Sequence, residues 1–169
     1  MIRLISYLLI FTLLTSCIKE KQTGADLTIG DRIPDFAVQV SDGTILTGTQ
    51  LREGISFIMF FTTECPDCQK TLPVVQTLYN EYASQGVRFA LISREDDADS
   101  VSSHWAQQGY IMPYSAQSDR RIYELFARTR VPRIYICRDG IIKSIFTDQP
   151  HNPTYEDLRV ALDGALYKF

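Results

Sequence analysis

The sequence predicts an α/β domain in which a mixed β-sheet is flanked by helices, with a β-hairpin before it and an insertion at its centre. The continuous apolar run from Ile55 to Phe61 is typical of a buried central strand. Apolar residues at helical spacing follow between Leu72 and Tyr82, and a second apolar run extends from Val87 to Ile92. This strand–helix–strand order predicts two parallel neighbouring strands.

Length and composition indicate one globular domain of ordinary character. The chain has 169 residues, 45% of them hydrophobic and 22% charged, which is enough to bury a core without disulfides. A formal net charge of −3 argues against binding to nucleic acid. It also argues against binding to a membrane surface through a polybasic patch. We expect no cofactor and no metal.

The first 16 residues have the form of a signal peptide, because Arg3 precedes an apolar stretch too short for the roughly 20 residues of a spanning helix. The sequence Leu14-Thr15-Ser16-Cys17 resembles the bacterial lipobox, which implies cleavage before Cys17 and lipid attachment to its sulfur. An ordinary leader with an incidental cysteine is the alternative. Residues 17–26 are then the lipidated cysteine and a polar tether, and residues 27–169 form the domain.

The N-terminal part of the domain contains a hairpin. Residues 36–40 and 44–47 flank Ser41-Asp42-Gly43, and an Asp-Gly pair between short apolar runs is typical of a hairpin turn. The chain then turns through residues 51–54 into the central strand.

In the C-terminal half, the sequence predicts two helices, then a β-hairpin and a last helix. Val101 and Trp105, with Gly109 as the stop, predict a short helix, and a second helix is expected with Ile122, Leu125 and Phe126 facing inward. The remaining elements are a strand over 131–137, its hairpin partner over 141–146, and a helix capped by Thr154, with Leu158, Ala161, Leu162, Ala165 and Leu166 on one side.

Two cysteines mark the start of the helix after the central strand. Cys65 sits where a helix dipole and free N–H groups favour a thiolate, and Pro66 fits the first turn. Cys68 lies one turn on, within disulfide reach, so Cys65 is expected to attack and Cys68 to resolve. A structural disulfide or half of a zinc site is the alternative, although neither His104 nor His151 has a spacing that completes four ligands.

Several motifs together resemble one family. They are Gly30-Asp31 with Pro34-Asp35-Phe36, Cys65-Pro66-Asp67-Cys68, Pro73 five residues after Cys68, and Val131-Pro132 before the last hairpin. The chain from Leu27 to Phe169 is similar to TlpA/ResA-type lipoproteins of the thioredoxin superfamily, envelope thiol–disulfide oxidoreductases related to AhpC/TSA proteins. The resemblance implies a thioredoxin-like fold. It also implies a cis Val131–Pro132 bond that faces the cysteines and presents the Val131 backbone to an extended peptide; an ordinary proline at a strand start is the alternative.

The site departs from the family pattern at several positions. Glu64 replaces the usual Trp, and with Asp67 it places two carboxylates beside the thiolate, whose ionisation they should oppose. Arg133 would lie on the same face and could offset them, or all three could be solvated surface charges. The acids that related proteins use as proton relays are replaced by Met59 and Thr71. Cys137 is expected to be a buried small hydrophobe.

The resemblance implies a lipid-anchored enzyme of the bacterial envelope that faces the periplasm from the inner or the outer membrane. Its partners would be disulfide-containing envelope proteins, a membrane thiol electron donor, and the bilayer through acylated Cys17. Three alternatives stay open. They are a peroxiredoxin-like peroxidase, a SCO-type copper chaperone, and a thioredoxin fold that only holds a partner.

The residues separate these alternatives in part. Pro34-Asp35-Phe36 and Thr62 match residues that peroxiredoxins have at the corresponding positions. Peroxiredoxins also have a proline seven residues before the cysteine, and this chain has Ile58 at that position. Copper chaperones have cysteines spaced by three and a histidine before the last hairpin, where this chain reads Arg128-Thr129-Arg130-Val131-Pro132. Thiolates could nevertheless bind Cu(I).

Overall fold

A computed structural model describes residues 25–167. The predicted signal peptide and Cys17 lie outside the described residues. The strands and helices are, in chain order, β1 (Ala37–Gln39), β2 (Ile45–Thr47), α1 (Gly48–Leu51), β3 (Ile55–Phe61), α2 (Pro66–Tyr82), β4 (Arg88–Ser93), α3 (Ala98–Gln108), β5 (Tyr114–Ser115), β6 (Arg133–Arg138), β7 (Ile141–Phe146) and α4 (Tyr155–Leu166).

Five strands form one mixed sheet in the order β5-β4-β3-β6-β7, and β1 pairs with β2 in a separate hairpin. β3 lies at the centre, parallel to β4 and antiparallel to β6, so that Met59 is opposite Leu91 on one side and Ile134 on the other. The predicted mixed sheet, the parallel β3–β4 pair and both hairpins are therefore confirmed.

The two faces of the sheet pack against different parts of the chain. Phe57, Met59 and Phe61 of β3 lie in a cluster with the apolar faces of α2, α3 and α4. The alternate residues Ile58 and Phe60 lie in a second cluster with the N-terminal segment and the residues around Tyr123. Every residue of β3 is buried, which explains why its sequence shows no alternation.

Helix α2 follows its sequence signals closely. It begins with Pro66 at its first turn, contains Pro73, and is followed by a 3₁₀ turn that ends at Gly86 with φ of 88°. Its buried face includes Leu78, whereas the next residue, Tyr79, is only partly buried. In α4 the predicted cap at Thr154 forms a capping box with Asp157.

The helix predicted with Ile122, Leu125 and Phe126 inward is wrong, although Phe126 does face inward and is fully buried. The segment forms only a single 3₁₀ turn, Tyr123–Leu125, and Leu125 is 42% exposed. The reason is Tyr123, which is buried and whose hydroxyl donates to the carbonyl of Arg130 at 2.8 Å. This contact draws the chain back towards β6 before a second helical turn can form.

The described residues contain no helix that is long and apolar enough to cross a membrane.

Candidate active site

Cys65 is the N-cap of α2 and stands at the mouth of a groove. Its sulfur accepts a hydrogen bond from the backbone N–H of Cys68 at 3.4 Å. The loop before it is fixed because Gln69 Nε2 donates to the carbonyl of Thr63 at 2.8 Å. Cys65 is partly exposed. The N–H contact and the helix N-terminus both stabilise negative charge on this sulfur.

Cys68 lies one turn further along α2 and is fully buried. Burial raises the pKa of its thiol well above the usual range. The first sulfur is therefore accessible and the second is buried behind it, where burial disfavours the thiolate.

The chain before β6 covers the dithiol. The Val131–Pro132 bond is cis, as the resemblance implied, and Pro132 is buried. The Cys65 thiol lies 3.5 Å from the carbonyl oxygen of Val131 and can donate to it. Val131 and Cys65 line a groove of about 400 Å³ together with Thr62, Arg94, Thr129, Arg130 and Asp148. The partly exposed Cys65 therefore faces this groove.

The two carboxylates beside Cys65 differ in their surroundings. Asp67 accepts from Asn152 at 2.9 Å and from Lys70 at 3.0 Å, and the Asn152 hydrogen bond is the main reason that the pKa of Asp67 is lowered. Glu64 is exposed. The negative charge of Asp67 is therefore compensated locally, by residues that the sequence did not single out for this role.

The expectation that Arg133 would lie beside the cysteines is wrong. Arg133 is only 8% exposed and forms an ion pair of 2.9 Å with Asp26, the last residue of the predicted tether. Side chains alternate along β6, so Ile134 and Ile136 face α2 while Arg133 faces the opposite side of the sheet. Arg133 therefore supports the domain from behind the site and does not offset the carboxylates.

Two residues at the end of β4 belong to the site although the sequence did not indicate them. Arg94 lines the groove beside Cys65. Asp96 accepts from the backbone N–H of Thr63 at 3.1 Å, and burial raises the pKa of its carboxyl. The available signal was topological, because the carboxyl ends of two parallel neighbouring strands, here β3 and β4, lie at the same edge of a sheet.

The remaining predicted positions play structural parts. Met59 and Thr71 are buried, and the Thr71 hydroxyl donates to the carbonyl of Asp67 at 2.8 Å. Cys137 is buried in the cluster on the other face of the sheet, where burial raises its pKa to about 12. Within residues 25–167 no group of three or more His, Cys, Asp or Glu residues could hold a metal ion.

The fold and the dithiol define a class of protein, the thioredoxin-like thiol–disulfide oxidoreductases. The model of the AhpC/TSA family matches residues 29–145, more than half of the chain. The chain belongs to this family.

Individual relatives agree with that class. The thiol–disulfide oxidoreductase ResA of Bacillus thuringiensis is 23% identical over 141 residues, which cover 82% of this chain and 80% of that protein. A candidate protein disulfide isomerase from Bacteroides thetaiotaomicron superposes with a TM-score of 0.76 at 19% identity, over 85% of this chain and 93% of the other. A thioredoxin-family thiol:disulfide interchange protein from Chlorobium tepidum superposes with a TM-score of 0.70 at 21% identity, over 85% of this chain and 100% of the other.

Proposed function

We propose that this protein is a lipid-anchored reductase of disulfides in bacterial envelope proteins, held to the inner or outer membrane through Cys17 and facing the periplasm. One observation carries the redox part of the proposal. Cys65 caps α2 at an open groove, and Cys68 is buried one turn behind it, with its backbone N–H on the Cys65 sulfur at 3.4 Å. An attacking and a resolving thiol need this arrangement.

The reaction consists of two thiol–disulfide exchanges. The Cys65 thiolate attacks one sulfur of the substrate disulfide, an S–S bond forms between protein and substrate, and the departing substrate thiolate takes up a proton. Cys68 then loses its proton and attacks the Cys65 sulfur, which releases the second substrate thiolate. The substrate gains two electrons and two protons, and the protein is left with a Cys65–Cys68 disulfide. We propose that a membrane dithiol donor reduces it again.

The buried position of Cys68 gives the two steps their order. Because burial raises the pKa of Cys68, this thiol does not compete with Cys65 for the substrate. It becomes the attacking group only when Cys65 is already bonded to the substrate sulfur.

Val131 would position the substrate. Its carbonyl lies 3.5 Å from the Cys65 sulfur, and Val131 lines the same groove. An extended peptide on either side of the substrate cysteine could pair with this backbone, as in strand addition. Such recognition depends on the peptide backbone and fits a range of protein disulfides.

The alternative functions gain no support. Ile58, where peroxiredoxins have a proline, is a buried residue of β3. The segment before β6 carries no histidine that could complete a copper site with the cysteines.

The proposed reduction can be tested with purified full-length protein and a peptide disulfide, with dithiothreitol as the electron donor. We expect turnover to be lost in Cys65→Ser and Cys68→Ser. Cys137→Ser is the matched control, since Cys137 is buried on the other face of the sheet and should leave turnover unchanged. Equal turnover in wild type and Cys65→Ser would contradict the proposal.

Anchoring and partners need cellular tests. Labelling with a fatty-acid analogue should mark the wild type and not Cys17→Ala. Cys68→Ser should accumulate mixed disulfides with envelope proteins that disappear in the Cys65→Ser/Cys68→Ser double variant. Mixed disulfides that persist in the double variant would show that Cys65 is not the attacking thiol.

A further inference from the structure

Most charges near the dithiol are already neutralised by a partner. Asp67 pairs with Lys70 at 3.0 Å on the surface of α2. Arg130 Nη1 lies 3.0 and 2.9 Å from the two carboxylate oxygens of Asp148 across the groove. Opposite charges in such close pairs largely cancel at a third site, and solvent screens what is left.

Arg94 is held in the groove by contacts at both ends of the residue. Its backbone N–H donates to the carbonyl of Phe61, the last residue of β3, at 2.7 Å. Its guanidinium carbon lies 5.9 Å from the centre of the Tyr123 ring, and its side chain is only 21% exposed. Arg94 and Cys65 line the same groove.

The hydrogen bonding of Arg94 is incomplete. One terminal nitrogen, Nη2, forms an ion pair with Glu95, whose side chain is 36% exposed. The Nε atom is buried and has no hydrogen-bond partner within residues 25–167. A buried donor without an acceptor costs free energy, so this position favours a state of the site in which negative charge is present nearby.

We infer that Arg94 is the cation that stabilises the thiolates of the Cys65–Cys68 dithiol and so controls both its reactivity and its reduction potential. The inference rests on the proposed redox function. A thiolate forms on Cys65 before attack, and a second forms on Cys68 when the mixed disulfide is resolved. Arg94 is placed to act on both steps from the end of β4, whereas the acids of related sites are replaced by Met59 and Thr71.

The electrostatics of Cys68 agree with this assignment. Burial is the largest influence and raises the pKa of Cys68, and the positive charge of Arg94 acts in the opposite direction. Asp96 instead accepts a hydrogen bond from the backbone N–H of Thr63 at 3.1 Å. Its part is to hold the loop before Cys65 in place.

The test uses the full-length reduced protein and four variants, Arg94→Gln, Arg94→Lys, Glu95→Gln and Arg88→Gln. Two quantities are measured, the rate of Cys65 alkylation by iodoacetamide at pH 7 and the reduction potential against dithiothreitol. Arg94→Gln should slow alkylation about three- to tenfold, since the thiolate is the reactive form. Arg94→Gln should also make the reduction potential of the Cys65–Cys68 pair more negative. A tenfold change in the equilibrium constant of this two-electron couple corresponds to about 30 mV.

The other variants fix the sign of the effect. Arg94→Lys keeps the charge and should retain most of the wild-type rate. Glu95→Gln frees Arg94 from its partner and should speed alkylation and raise the potential. Arg88→Gln is the matched control on the same strand. Arg88 begins β4 at the end away from Cys65 and its side chain is 42% exposed, so the rate should stay within about twofold because solvent and salt screen its charge.

The outcomes separate this inference from the function on which it rests. Wild-type protein without a reversible couple would overturn the proposed function. A reversible couple together with Arg94→Gln rates within about twofold of wild type would overturn the role of Arg94 alone. If Arg94→Gln does not fold, a Glu95→Gln variant that slows alkylation or leaves it unchanged overturns the inference equally well.

Discussion

Replacing Asp26 with asparagine removes the negative charge that faces the buried guanidinium of Arg133. Asp26 Oδ2 lies 2.9 Å from Arg133 Nη2, and its Oδ1 accepts from the backbone N–H of Arg128 at 2.8 Å. Asparagine can still accept that second hydrogen bond, so the substitution isolates the loss of charge. The guanidinium would remain buried without its counter-ion.

The expected cost follows from the exposure of the two side chains, 10% for Arg133 and 36% for Asp26. Breaking a fully buried ion pair costs about 3–5 kcal/mol, and breaking an exposed pair costs about 0–1 kcal/mol. The partly exposed Asp26 places this pair between the two, at about 2 kcal/mol. For a protein of this size that lowers the melting temperature by about 4–8 °C.

The assay is urea and thermal unfolding of the purified protein, with Asp35→Asn as the matched control. Asp35 also pairs with an arginine, Arg52, at 2.7 Å, but its side chain is 85% exposed. Asp35→Asn should therefore lower the free energy of unfolding by less than about 1 kcal/mol. An equal decrease in the free energy of unfolding of Asp26→Asn and Asp35→Asn would refute the assignment of Asp26 and Arg133 to a buried pair. Cys65 alkylation should change less than about twofold in Asp26→Asn, because Arg133 lies behind the sheet.

Three further results are expected. Gly48→Ala should lose about 1–3 kcal/mol in urea unfolding, because a Cβ there would lie 2.2 Å from the carbonyl oxygen of Pro34. Its control, Gly164→Ala in α4, has open space and should gain about 0.5–1 kcal/mol. Mass spectrometry after native alkylation should find Cys65 alone modified among the described cysteines. Burial raises the pKa of Cys137 from 9.0 to about 12, so its contribution to stability is complete below pH 9 and is lost as the pH rises towards 12. Cys137→Ala should reduce this alkaline loss by up to about 1.4 kcal/mol per pH unit, and an unchanged pH profile would contradict the burial of that thiol.

The elements that the sequence predicts well are those whose signals are local. The apolar run over β3 has the predicted bounds because the strand is buried on both faces. The start of α2 is equally well defined, since a cap residue and a proline at the first turn mark it directly. These two elements place Cys65 and Cys68, so the centre of the site could be predicted.

The features that could not be predicted from the sequence depend on contacts between different segments of the chain. The direction of Arg133 follows from the alternation along β6, but its partner Asp26 lies 107 positions earlier in a segment whose composition is that of a tether. Arg94 stands between a strand and an acidic loop, and only the parallel pairing of β3 with β4 brings it to Cys65. The spacing of residues 122–126 fits a helix, but the tertiary hydrogen bond of Tyr123 overrides it.

If the proposed function is right, Cys65 and Cys68 form a reversible two-electron couple that works as a reductant. The most direct test is the reduction potential of this pair in the full-length protein, equilibrated with dithiothreitol or glutathione buffers and read out by mass spectrometry. We predict a single reversible transition near the roughly −270 mV of thioredoxin. A potential near the roughly −120 mV of strong oxidants would reverse the proposed direction, and the absence of any reversible transition would contradict the redox function itself.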